Sequence, residues 1–111
     1  MPRGEKAPEN ATTTAAAASL VVKASGGILY TITGHNDKAT VQYIQVHDAA
    51  SLPAEAAVPK VAIVAAGDAN FTLDFGPYGR KFDTGIVVCN SSTLATKTLG
   101  SADCWIDAQY V

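Results

Sequence analysis

From Ser19 onward the chain is cut into short runs rich in Val, Ile, Tyr, Phe and Thr, separated by clusters of Gly, Asn, Asp and Pro. Runs of this length and composition form strands joined by tight turns, and they leave no room for a sustained helical period. The pattern predicts strands over residues 19–24, 28–33, 40–47, 60–66, 70–75, 84–90 and 103–110. Seven such strands point to an all-β fold, an antiparallel β-sandwich of immunoglobulin-like or jelly-roll-like form. A partly closed barrel is the alternative.

Within the runs, alternation assigns faces. Phe71, Leu73 and Phe75 alternate with Thr72 and Asp74, and Ile28, Tyr30 and Ile32 alternate with Thr31 and Thr33. The alternation slips at Tyr43 and Ile44, which suits a bulge or a strand covered on both sides. In the last run Cys104, Ile106, Ala108 and Tyr110 share one side, and Trp105, Asp107 and Gln109 the other. The expected core is anchored by Phe71, Phe75, Ile86, Val88 and Trp105. Gly34, His35, Asn36 and Asp37 read as a turn. Residues 48–59 are alanine-rich but interrupted by Pro53, so they read as a loop crossing from one sheet to the other, with at most one helical turn.

At 111 residues the chain is one domain. Residues 1–18 contain prolines, scattered charges and a Thr/Ala tract without period. They read as an extended N-terminal arm, and residues 19–111 as the sandwich. The arm has no apolar run of the kind a secretory signal or a membrane span requires. A net charge of −2 excludes a nucleic-acid binder driven by bulk electrostatics and a polybasic membrane anchor. Neither a nucleic acid nor a membrane is an expected partner.

Little in the sequence points to catalysis. Cys89 and Cys104 are the only cysteines. Without an export signal they read as reduced, buried small hydrophobes. His35 and His47 read as solvated turn residues, because a metal site needs three or four convergent ligands. There is no nucleophile elbow, phosphate-binding glycine loop, HExxH or CxxC motif. The expectation is a protein that is not an enzyme and holds no cofactor or metal. Among the rings available to a glycan, Tyr78 is the one expected to be exposed, in the punctuated loop 76–79. Loops 76–81 and 91–101 are long and polar enough to meet a partner. Arg80 and Lys81 are the only adjacent basic pair.

Four segments carry a resemblance: Gly26 to Tyr30 (GGILY), Gln42 to Asp48 (QYIQVHD), Gly85 to Ser92 (GIVVCNSS) and Asp103 to Trp105 (DCW). Together, over roughly residues 26–110, they resemble a group of small β-sandwich virion proteins of tailed bacteriophages, of the capsid decoration or cement type. The resemblance implies a structural protein of the virion, bound to the outer surface of the head shell and stabilising it. Its partners would then be the major capsid protein and neighbouring copies of itself, and it would be made in the bacterial host cytoplasm. The resemblance transfers no catalytic residue. The contact residues expected under this reading are Arg3, Glu5, Lys6, Pro8 and Thr13 in the arm, and Tyr78, Arg80 and Lys81 in the loop. The competing expectation is a receptor- or glycan-binding module of a tail fibre or baseplate.

Overall fold

The computed structural model describes residues 7–111. They form nine strands and no helix: β1 Glu9–Thr12, β2 Ser19–Lys23, β3 Gly27–Asn36, β4 Gln42–His47, β5 Val61–Ala65, β6 Ala69–Asp74, β7 Arg80–Phe82, β8 Ile86–Ser91 and β9 Cys104–Tyr110. Two antiparallel sheets result. One runs β1-β9-β3-β6, with β7 also on β3, and the other runs β2-β8-β4-β5. The all-β, sandwich-like expectation holds, with nine strands in place of seven.

The pairings nest about the β4–β5 connection. β4 pairs with β5, β3 with β6 and β7, β2 with β8, and β1 with β9. The chain is therefore one long hairpin, doubled back at residues 48–60 and wound into two sheets. Lateral pairings of β3 with β9 and β4 with β8 complete them. Residues 48–60 thus join two neighbours in one sheet, and the expected crossing from one sheet to the other is not made.

β6 and β7 are one edge strand with an interruption. β6 pairs with β3 from Asp74 opposite Thr31, Phe75 N donates to Tyr30 O, and β7 resumes with Arg80 opposite Leu29. Residues 76–79 leave the ladder between them, with Gly76 at φ +85° and Gly79 at φ +69°. These left-handed backbones let the chain leave and rejoin the same edge.

The core between the sheets is built from Val22, Leu29, Ile32, Ile44, Val46, Phe71, Phe82, Ile86, Val88, Ile106 and Ala108. Phe71, Ile86 and Val88 sit where expected, and Phe75 packs on the rim. Trp105 does not join the core; it is 42% exposed. Strict alternation along β9 turns it outward with Asp107 and Gln109. In β3, the register slips between Leu29 and Thr31, and Leu29 and Tyr30 are both buried. That irregularity breaks the expected face of Ile28, Tyr30 and Ile32.

One further expectation is corrected. Gly34, His35 and Asn36 are not a turn but the end of the ten-residue β3. Asn36 is accommodated there because its Nδ2 donates to the carbonyls of Thr40, Ala65 and Ala66, and its Oδ1 accepts from Lys38 N. Within the span read as an arm, Glu9–Thr12 is an edge strand on β9. Thr13 is tied to Ile106 through backbone and hydroxyl, and Ala17 bridges to Cys104.

Candidate functional site

The outer faces of the two sheets differ in kind. On the four-stranded sheet the inward positions are Ile44, Val46, Ile86 and Val88, which leaves Gln45, His47, Val87, Cys89 and Ser91 facing outward. All five are nonetheless buried. Loops 48–60 and 92–103 fold over them and pair with each other: Ala56 N donates to Lys97 O, and Lys97 N to Ala57 O. The slip read at Tyr43 and Ile44 is thus the mark of a strand covered on both sides. Loop 91–101, long and polar enough to meet a partner, also forms part of this cover, and its residues 92–96 stay exposed on the outer side.

A polar network holds the cover. Gln45 Nε2 donates to the carbonyls of Thr93, Leu94 and Thr96 at 2.9, 3.1 and 3.0 Å. Gln45 Oε1 lies 3.0 Å from His47 Nε2, so the imidazole donates there. Lys97 is 3% exposed and its ammonium meets the Glu55 carboxylate, which is 61% exposed. The lysine stem is buried while the charge is paired at the rim. That ammonium and the Leu99 N–H hold Glu55 below the usual carboxylate range. Asp48 is held low by accepting from the backbone N–H groups of Thr84, Asp83 and Gly85, which pins the β7–β8 crossing to the end of β4.

His47 is buried, where the sequence had suggested a solvated turn residue. Burial, and secondarily the Lys97 charge, push its pKa below the ordinary 6.5. The unfolded chain therefore takes up a proton first as pH falls, and the native state is penalised. Stability should decline as pH drops from about 6.5 toward the depressed native value, and His47→Gln should flatten that slope. Urea midpoints measured on either side of that window check it; an unchanged slope in His47→Gln overturns it. Cys89 and Cys104 are free and buried, as expected, and burial pushes the Cys89 thiol up to about 11.

The outer face of the five-stranded sheet is open. Its register sets Trp105, His35 and Asn70 in one cross-strand row, and Thr12, Asp107, Thr33 and Thr72 in the next. His35 Nδ1 lies 2.8 Å from Asn70 Oδ1. This is a flat polar surface with one indole in it. Such a surface can stack a ring or a sugar on Trp105 and hydrogen-bond around it. Among the described residues no group of three or more His, Cys, Asp or Glu side chains could hold a metal ion.

The expected contact residues divide between the two edges of this sheet. Thr13 follows β1 at one edge, with Pro8 just before β1. Tyr78, 68% exposed, stands in the excursion at the opposite edge, with Arg80 and Lys81 following in β7. Arg80 and Lys81 do not make a basic patch. Alternation sends them to opposite sides of the strand, and Lys81 lies 3.8 Å from Asp83. Arg3, Glu5 and Lys6 lie outside the described residues. Trp105 was missed as a surface residue, although its own alternation with Asp107 and Gln109 carried the signal. No protein-family model matches the chain, and neither a curated protein nor a solved structure matches it.

Proposed function

We propose that this protein is a structural subunit of a bacteriophage virion, a decoration (cement) protein on the outer surface of the head that stabilises the shell. The observation that carries the reading is the nested strand pairing. With β6 and β7 counted as one interrupted strand, the pairs β1·β9, β2·β8, β3·β6/β7 and β4·β5 support a jelly-roll over an immunoglobulin-like order. Jelly rolls are a recurrent architecture of viral capsid domains. Because a fold by itself licenses no function, the sequence resemblance to phage virion sandwiches supplies the rest. On this reading the major capsid protein meets the open face around Trp105, with Pro8 and Thr13 on one flank and Tyr78 on the other. An exposed indole surrounded by small polar side chains is the composition of an interface hot spot.

One observation favours a second reading. The same Trp105 row, with His35 and Asn70, suits a pyranose ring stacked on the indole, as in a glycan- or receptor-binding module of a tail fibre or baseplate. The copy number of the chain in purified particles separates the two. Roughly one-third to one copy per shell subunit is expected for decoration, since symmetric occupancy scales with the lattice. A few copies per particle would move the protein to the tail, and absence from particles would overturn the virion reading.

A further inference from the structure

We propose that β5 is a self-pairing edge, and that two copies of the chain join by antiparallel pairing of β5 with β5, fusing their four-stranded sheets into one. The inference is independent of where the protein works.

The four sheet edges differ in how they are guarded. An open edge offers unpaired N–H and C=O groups, and proteins block unwanted pairing with charges, bulges and interruptions. β2 ends on Lys23 and is bulged between Val21 and Lys23. The β6/β7 edge is broken by the 76–79 excursion and carries Asp74, Arg80 and Lys81. β1 is four residues long and begins with Glu9. β5 has none of these devices: its sequence is VAIVA, its register with β4 is unbroken, and it carries no charge. Among the described residues, no hydrogen bond outside the β4 ladder reaches the backbone of residues 61–64.

Charge and exposure identify the occupant as a second copy. A two-fold axis sets each strand against its own sequence, and the uncharged β5 sets no like charges against each other. With the axis at Ile63, Val64 of one copy lies opposite Ala62 of the other on the outer face. That covers Val64, which is 59% exposed although most of its sheet is buried. Val58, also exposed, lies three residues before the strand.

Sedimentation of the full chain over a concentration series tests this. The expected result is a reversible shift from the 11.4 kDa monomer to twice that mass. Val64→Lys should hold the chain at the monomer mass, because the two substituted side chains become like-charged diagonal neighbours across the junction. Val64→Glu should do the same, and mixing the two variants should restore the dimer. Val64 is exposed, so both variants fold, and the restored mixture confirms it. Val21→Lys, on the guarded β2 edge, should leave the dimer intact. A wild-type chain that stays monomeric throughout overturns the proposal. So does a dimer that survives Val64→Lys or is lost in Val21→Lys.

Discussion

Gly34→Ala is expected to abolish the folded state or leave it barely populated. Gly34 lies in the middle of the five-stranded sheet, opposite Ile106 on β9 and Phe71 on β6. A Cβ there would stand 2.1 Å from the Trp105 carbonyl oxygen and 2.3 Å from Phe71 Cζ. The phenyl ring covers the strand at the point where the strand has no side chain. A ring tip can rotate away, and overpacking of that kind costs about 1–3 kcal/mol. The carbonyl belongs to the neighbouring backbone and can yield only if β3 and β9 separate. The loss should therefore reach about 4 kcal/mol or more, against a total of about 5–15 kcal/mol for a domain. Gly76→Ala is the contrasting variant. Nothing lies within 4 Å of its Cβ position, and only the φ of +85° resists. It should lose about 1 kcal/mol. Urea unfolding of the two variants decides the matter: equal midpoints would mean that backbone conformation, not the approach of Trp105 and Phe71, is what requires glycine at position 34.

Much of the fold is legible in the sequence because alternation is a local property. The β6 run and β9 show their faces directly, and β9 even shows that Trp105 belongs with the polar side. What the sequence does not reveal is what lies beyond a face. Gln45, His47 and Ser91 look like surface residues in an alternating strand, and so they are with respect to the sandwich core. They are buried because loops distant in sequence settle over them, and those loops are polar enough to read as solvated. Pairing partners are invisible for the same reason. The turn at residues 48–60 gives no local sign that it closes a hairpin within one sheet, since its outcome is set by the nested pairing of strands far apart in the chain. Glu9–Thr12 carries too little apolar surface to announce itself, and becomes a strand only because the edge of β9 is there to accept it. The open polar face was legible residue by residue but not as a surface, because cross-strand rows depend on register.

The second large effect is expected at Gln45, where the polar cover is held. Gln45→Leu preserves approximate volume and removes every hydrogen bond the side chain makes. The carbonyls of Thr93 and Leu94 lose their donor, Thr96 O keeps only the Thr93 and Ser91 hydroxyls, and the His47 N–H loses its acceptor. A buried polar group left unpaired costs about 1–3 kcal/mol. The three carbonyls lie on a loop that can lift to reach water, so the costs do not simply add, and a loss of about 3 kcal/mol is expected. The route of relaxation gives the distinguishing readout. If loop 92–99 lifts, Cys89 beneath it, which lies 3.9 Å from Gln45 Oε1, becomes reachable. Its thiol should then be alkylated under native conditions faster than in the unsubstituted protein, where burial holds its pKa at about 11. Cys104 lies between the sheets, so its rate should not change. A drop in stability with both thiols equally affected would mean that Gln45 supports the whole sandwich. A drop with Cys89 alone exposed means that the cover is a separate unit, which this amide fastens to the four-stranded sheet together with Ser91 Oγ, the acceptor for Thr93 N and Thr98 N.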